Sequence, residues 1–372
     1  MELRRFQAGN ADPRIVFYAE DHSSWPHFEP IVNDLTGRLG RQIAYVTSSA
    51  RDPILKMGDP HVDAYGIGAG ATRIMFFETL RNSLVIMTMP DLNMFHIKRT
   101  RLPGVHYVYV QHSLVSTHMA YRKGAFDHFD TIFCAGPHHV VETRATENIY
   151  GLRVKNLIEH GYGRLDAILR DSPAITQVDR AIPHILLAPS WGEHAILETV
   201  GEPVVNALLE AGYRVTVRPH PRTRQRCSKA LDDLARRFYG NDNFTLEEKI
   251  ASQRSLLNAD LMISDWSGAA LEYALGLGKP VLFINVPRKV NNPEYGNLPM
   301  EPIEVSVRKD LGAIVAPGDW AALCSESERL INATSRYSER LRRLRLKTVF
   351  NVDRSGEIGA SALVDLFDNQ FG

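Results

Sequence analysis

The chain predicts two Rossmann-like α/β domains in tandem, facing a central cleft, and three observations carry the prediction. Short apolar runs rich in β-branched and aromatic residues alternate with helical patterns, the rhythm of a parallel sheet with crossover helices. The rhythm pauses once, over Asp171–His184 (DSPAITQVDRAIPH), where two prolines and weak periodicity mark a linker, and then restarts. The length, 372 residues, leaves room for two to three units at roughly 150 residues each.

Taken in order, the apolar runs Arg14–Ala19, Gln42–Thr47, Val62–Ile67, Ser83–Thr88, His106–Val110, Thr131–Cys134 and Leu157–His160 read as strands buried on both faces. Helical patterns over Pro26–Arg38, Thr72–Arg81 and Pro137–Thr146 lie between them. After the pause come strands at Ile185–Ala188, Arg214–Arg218, Leu261–Ser264, Val281–Ile284 and Ala313–Val315. The helices of this half are expected over Glu193–Ala211, Arg222–Phe238, Glu247–Asn258, Gly268–Leu275 and Trp320–Asn332, with a mostly helical tail over Glu339–Phe367. The expected domains are 1–171, a linker 172–184, 185–350, and a C-terminal helix in 351–372 that packs back on the first domain.

Composition narrows the function. Lys+Arg and Asp+Glu are equal at 43 each, so no electrostatic clamp for nucleic acid is expected. The three cysteines are widely spaced and none forms C-x-x-C, which argues against a disulfide scaffold or zinc ribbon. No signal-peptide core and no apolar stretch long enough to span a bilayer is visible, so a cytoplasmic protein is expected. G-x-x-x-x-G-K-[ST], H-E-x-x-H, D-x-D and G-x-S-x-G are all missing. Gly66-x-Gly68-x-Gly70 is only part of a dinucleotide fingerprint. No cofactor and no metal are therefore expected.

In open α/β sheets ligands sit beyond the carboxyl ends of strands, so the polar residues there are the candidates. Gln111 and His112 follow Val108–Val110, and a histidine with its ordinary pKa of about 6.5 suits general-base work. Arg218-Pro219-His220-Pro221 ends a strand in a turn whose prolines fix the direction of two cationic side chains, suited to phosphate oxygens. Ser264-Asp265-Trp266-Ser267-Gly268 leads from a strand into a helix whose N-terminus could hold a pyrophosphate, with Glu272 one turn on, towards a ribose. Ala188-Pro189-Ser190-Trp191 could bracket a base or ribose. Gly161-Tyr162-Gly163-Arg164-Leu165-Asp166 could line the site from the first domain. Each has a plainer reading as a loop histidine, a solvated turn, an N-cap serine or a packed loop. Met94–Leu102 and Arg340–Lys347 mix basic and apolar residues. Either could meet an anionic membrane surface, though a solvated basic face is the commoner explanation.

These motifs share an order. The chain resembles the CDP-glycerol glycerophosphotransferase family of teichoic-acid and capsule synthesis, which has a GT-B fold. The resemblance covers roughly residues 105–315 and rests on Gln111-His112, Gly161-Tyr162-x-Arg164-x-Asp166, Ala188-Pro189-Ser190-Trp191, Arg218-Pro219-His220-Pro221 and Ser264-Asp265-Trp266-Ser267. It implies transfer of glycerol or ribitol phosphate from a CDP-activated donor to a hydroxyl of a cell-surface glycan or lipid-linked acceptor. It also implies that His112 and His220 are the active-site histidines. The donor side would be Arg218, Ser190, Trp191, Asp265, Ser267, Gly268 and Glu272; the acceptor side would be Gln111, Tyr162, Arg164 and Asp166. Three positions depart from the family: Ser113 where Gly is usual, Gly268 where a second Ser is usual, and Glu272 where Asp is frequent. Glu272 keeps open an NDP-sugar or CMP-sugar donor, the alternative reading. A nucleotide-sugar epimerase and a non-catalytic binder are further alternatives. Peripheral attachment at the inner face of the membrane is the expected location beyond the cytoplasm.

Overall fold

The computed structural model describes residues 1–9, 12–172, 182–247 and 253–372. Most of the expected linker, at 173–181, and part of the helix expected over Glu247–Asn258, at 248–252, lie outside the described residues.

The described residues divide into two compact units, Met1–Ala167 with Glu294–Pro299 and Thr348–Gly372, and Ile168–Pro293 with Met300–Lys347. The first holds seven strands: β1 (Arg14–Ala19), β2 (Ile43–Thr47), β3 (Val62–Gly66), β4 (Ser83–Met87), β5 (Val105–Val110), β6 (Thr131–Cys134) and β7 (Asn156–Glu159). They pair in the order β3-β2-β1-β4-β5-β6-β7, every pair parallel. Apolar clusters cover both faces, one around Tyr18, Phe76, Phe77 and Tyr109, the other around Phe17, Phe28, Ile86 and Val108. Two-sided burial is why these strands read as nearly continuous apolar runs rather than alternating ones.

The second unit holds β8 (His184–Leu187), β9 (Arg214–Val217), β10 (Phe244–Leu246), β11 (Leu261–Ser264), β12 (Val281–Ile284) and β13 (Gly312–Val315), in the order β10-β9-β8-β11-β12-β13, again all parallel. In each sheet the order reverses beside the unit's first strand, β1 or β8, and at such a reversal loops diverge and leave room for a ligand.

Several elements differ from expectation. Strand β10 was not anticipated; it is three residues long and sits at an edge, too short for a period to show. The helix expected from Glu193 starts only at Ile196, because the Ile196 amide donates to the Asp265 carboxylate and the preceding loop is held away from helix. It breaks at Val200 and resumes as Gly201–Glu210. The expected Arg222–Phe238 helix is two, Pro221–Arg226 and Ser228–Arg237, with Cys227 outside helical space. The expected tail is two helices, Thr334–Thr348 and Ser355–Phe371, separated by a turn in which Asn351 and Asp353 have positive φ.

The second tail helix packs on the Trp25–Asn33 helix of the first unit. The crossing is close, since a Cβ on Gly356 would meet the Pro30 carbonyl oxygen at 2.6 Å. The turn before that helix is as tight: Gly161 has φ +105, and a Cβ there would meet the Phe350 carbonyl at 2.7 Å, so only glycine fits.

Candidate functional site

In the second unit the loops after β8, β9, β11 and β12 carry the candidate residues. Asp265 organises them. Its carboxylate is buried and accepts from the amides of Ser190 (2.7 Å), Trp266 (2.6 Å) and Ile196 (3.2 Å), so it fastens the β8 loop to the β11 loop. Ser264 Oγ adds a bond to the Ala188 carbonyl at 2.8 Å. These bonds spend the carboxylate on backbone, which gives Asp265 a structural task. Ser267 is the N-cap of the Gly268–Leu277 helix, its Oγ accepting from the Ala269 amide at 3.3 Å. That helix directs its N-terminal amides, the positive end of its dipole, to the end of the sheet where the other loops gather.

The cap leaves Trp191 half-buried among cations. Lys289 Nζ lies 4.1 Å from its ring centre, and the Arg222 and Arg226 guanidiniums lie at 4.7 and 5.0 Å. The His220 ring is 6.0 Å away, and its Nδ1 accepts from the Arg222 amide, capping the Pro221–Arg226 turn. Burial, with Lys289 and Arg222 beside it, pushes His220 down to about 3, so it is neutral at physiological pH. Burial, opposed by the Asp265 charge, brings Lys289 down to about 8. Three cations around one indole repel each other more than a single ring can offset. The cluster is therefore complementary to an anion of more than one charge.

The remaining donor-side candidates are buried. Arg218 lies 3.3 Å from Ser255 Oγ and 3.9 Å from Glu247, and Ser255 bonds the same carboxylate at 2.5 Å. Arg218 is thus tied to a local ion pair. Glu272 is buried within the Gly268–Leu277 helix. Sequence reasoning missed Lys289 and Arg308, both beyond β12. The Arg308 guanidinium lies 4.0 Å from the Trp266 ring centre and 4.8 Å from that of Phe283, and it donates to Asn285 Oδ1 at 3.0 Å. Its Nε and Nη2 are buried without a hydrogen-bond partner, and burial lowers it to about 10. An Arg-Lys doublet and a lone arginine in a helix are too common in sequences to have signalled either residue.

In the first unit the site is of another kind. His112 leaves β5, and its Nδ1 is 2.8 Å from the Tyr109 hydroxyl. Tyr162 is buried and donates to the His112 carbonyl at 3.0 Å, which fixes the backbone that carries the imidazole. The rings of Tyr121 and His27 stand 5.7 and 6.1 Å from that of His112. Gln111 is buried with both Oε1 and Nε2 unpartnered, so its amide is available to a water or a ligand hydroxyl. Arg164 is half-buried, and burial, followed by the nearby His112 and Arg164, lowers His27. Asp166 departs from its expected acceptor-side place: it accepts from the Asp353 and Ser355 amides at 2.7 and 3.0 Å and from Ser355 Oγ at 2.5 Å, so it ties down the tail. His118 is buried beside Glu142, whose carboxylate accepts from the Thr117 amide and hydroxyl, both at 2.6 Å. Among the described residues no cluster of three or more His, Cys, Asp or Glu is arranged to hold a metal ion. Among them, too, no helix is long and apolar enough to cross a membrane.

Comparison with known proteins adds the chemistry. Residues 72–289, more than half of the chain, match the family model described as CDP-glycerol:poly(glycerophosphate) glycerophosphotransferase. No curated protein matches the chain. Among solved structures, the wall teichoic acid polymerase TagF superposes with a TM-score of 0.61 at 15% identity, covering 96% of this chain and 90% of that one. The UDP-GlcNAc 2-epimerase of Methanocaldococcus jannaschii, solved with UDP-GlcNAc and UDP, gives 0.56 at 14% identity over 95% and 99% of the two chains. A glycosyltransferase of Rickettsia africae gives 0.56 at 9% identity over 96% and 98%. At such identities the likeness establishes the fold, GT-B.

Proposed function

The chain belongs to the CDP-glycerol:poly(glycerophosphate) glycerophosphotransferase family and is a transferase of polyol phosphate from a CDP-activated donor, and from that premise we propose how its residues divide the work. The second unit holds the donor. The pyrophosphate lies against the N-terminus of the Gly268–Leu277 helix at Ser267, with Lys289, Arg222 and Arg226 supplying positive charge and Trp191 backing them. His220, neutral, donates or accepts a hydrogen bond and adds no charge. Glu272 faces the ribose, and Arg218 lends charge from behind its ion pair. The first unit holds the acceptor, a glycan or lipid-linked alcohol, with Gln111 orienting it and His112 taking its proton. The alcohol oxygen forms a bond to the β-phosphorus of CDP-glycerol or CDP-ribitol. The bond from that phosphorus to the bridging oxygen breaks, and CMP leaves with the electron pair. Catalysis of this kind rests on positioning and charge stabilisation.

The observation that supports this reading most is the crowding of Lys289, Arg222 and Arg226 on Trp191. Such a cluster fits a diphosphate better than the nearly neutral surface of a bare sugar. The sugar-donor alternative is not favoured, because the family match concerns polyol phosphate. The test is a thermal-shift panel of CDP, CMP, UDP, GDP and ADP, followed by CMP release from CDP-glycerol with and without a hydroxylated acceptor. Stabilisation by CDP above the other nucleotides, with acceptor-dependent CMP release, is expected. A preference for UDP, with UDP released from a UDP-sugar, would overturn the reading.

Membrane contact belongs to the same proposal. Met94, Phe95 and Leu102 are exposed at 38, 49 and 37%, with Arg122 4.9 Å from the Phe95 ring and Lys98 and Arg101 in the same segment. Apolar side chains among cations suit the surface of an anionic bilayer. Co-sedimentation with phosphatidylglycerol vesicles, lost in Phe95→Asp and on phosphatidylcholine, is the expected result.

A further inference from the structure

We propose that Tyr109 and Tyr121 are positioning residues that set the tautomer of His112, by a proton chain running outward from the imidazole through two hydroxyls. The inference rests on the reading of His112 as the base that activates the acceptor.

An imidazole whose Nδ1 is engaged can take a substrate proton only at Nε2, and only when the proton it already carries is on Nδ1. The Nδ1 partner therefore decides whether the ring is a base or a donor. In many enzymes that partner is a carboxylate, which can only accept and so forces the proton onto Nδ1. Here it is the Tyr109 hydroxyl, 2.8 Å away, which can play either part. If Tyr109 donates to Nδ1, the ring carries its proton on Nε2 and cannot serve as the base. If Tyr109 accepts from Nδ1–H, Nε2 presents its lone pair. The second arrangement requires that the hydroxyl's own proton have another acceptor.

Tyr121 supplies it. Its ring stands 5.7 Å from His112, and the rings of Tyr109 and Tyr121 both pack on Phe126, at 4.9 and 5.0 Å. A hydrogen bond to Tyr121 is among the causes that hold the Tyr109 phenol in its protonated form, behind burial, the largest cause. A bond between the two hydroxyls offers the Tyr109 proton the Tyr121 oxygen as its acceptor. The order is then His112 Nδ1–H to Tyr109 O, and Tyr109 O–H to Tyr121 O. The Tyr162 hydroxyl, bonded to the His112 carbonyl at 3.0 Å, fixes the backbone that carries the ring.

When Nε2 takes the proton of the acceptor alcohol, the imidazolium keeps Nδ1–H on the Tyr109 oxygen, and no proton needs to leave the chain during the step. The stabilisation offered is that of a neutral hydroxyl and weaker than a carboxylate's. The His112 pair thus belongs to a site that lends the proton briefly and returns it to solvent.

The test separates tautomer from turnover. Histidine-selective ¹⁵N labelling, with His112 assigned by its loss in His112→Ala, reads which nitrogen carries the proton near neutral pH. Protonated Nδ1 is expected in the native protein, and a shift to protonated Nε2 in Tyr109→Phe, which removes only the hydroxyl. Turnover in Tyr109→Phe is expected to fall by about 10-fold or more, towards the range for a misplaced acid–base group, with CDP affinity unchanged. Tyr121→Phe, at a half-exposed position, should move both readings the same way but less. A native protein protonated on Nε2, or a tautomer indifferent to Tyr109→Phe, would overturn the proposal. Full turnover in His112→Ala would instead remove the base reading, whatever the tautomer, and with it the catalytic meaning of the chain.

Discussion

The loops around His112 and the loops around Trp191 both stand at the carboxyl ends of strands in parallel sheets, yet they are built from different materials. The first is assembled chiefly from tyrosine hydroxyls, a buried glutamine amide and histidine rings, with the charge of the half-buried Arg164 guanidinium beside them. The second is crowded with formal charge, Lys289 and two arginines against one indole. The difference follows from what each has to handle. A proton moves between groups of comparable basicity, and a strong field would fix it on one of them. A pyrophosphate carries its charge throughout and needs a field already in place. One strand-turn-helix plan serves both tasks because the task is set by the side chains at the strand ends and leaves the sheet unchanged.

The comparison can be broken most sharply at His112. His112→Ala should lower kcat by about 10²–10⁴-fold while leaving CDP affinity nearly intact. A parallel loss of CDP binding, read by calorimetry, would mean that the His112 site also holds donor. The converse applies to Lys289→Ala, Ser267→Ala and His220→Ala. Each should weaken CDP binding by about 1–3 kcal/mol, the scale of a hydrogen bond to a charged group.

Acidity sharpens the contrast. With Lys289 at about 8, CDP affinity should decline as pH rises through that value, because the ammonium is lost. Bound phosphate favours the charged amine and moves the decline upward. In the nucleotide-free protein the sign reverses. Folding lowers this amine from 10.5, so the unfolded chain holds more protons between about 8 and 10.5, and stability should rise with pH in that window. Buried histidines give the acid counterpart, His220 in the second unit and a larger group in the first. Burial lowers His138 to about 3 and His160 to about 4. As pH falls below 6.5, the unfolded chain takes up protons that the folded unit refuses, so stability falls from 6.5 towards 4 and 3. Hydrogen exchange at pH 5 should find the first unit opened before the second; equal protection would remove this part of the contrast.

The smallest effect is expected at Arg308. Two of its nitrogens are buried without partners, so Arg308→Met should be neutral or stabilising in the nucleotide-free protein, by thermal unfolding. A large loss of stability would show that its stacking on Trp266 and Phe283 outweighs the unpaired charge.

The two sites also differ in how far the sequence announced them. The sheets were legible because burial on both faces makes each strand a run of apolar residues, and only the three-residue edge strand β10 escaped. Strand-end motifs such as Gln111-His112, Arg218-Pro219-His220-Pro221 and Ser264–Gly268 were legible because punctuation and chemistry coincide there. Partners distant in the chain were not. Nothing near Asp265 foretells that it binds the amides of Ser190 and Ile196, and nothing near Asp166 points to Ser355. Lys289 acquires its meaning only from a ring almost a hundred residues earlier. Tyr109 looked like one more core aromatic in an apolar strand, because the alternation that turns its hydroxyl back to His112 is invisible in a strand buried on both sides.

The tie between Asp166 and Ser355 bears on how the protein is made. The first unit includes Thr348–Gly372, so a ribosome has emitted its opening strands long before it supplies the helix that covers them. Domains generally fold as units during synthesis, at about 5–20 residues per second. The second unit, apart from its own last segment, comes out in one stretch, whereas the first must wait on the order of ten seconds with the Phe28 and Ile31 side of its core bare. The nascent opening half is then the part of this protein with most need of a chaperone. A stop codon after Thr348 would leave that half permanently uncovered, although every residue of β1 to β7 had been translated.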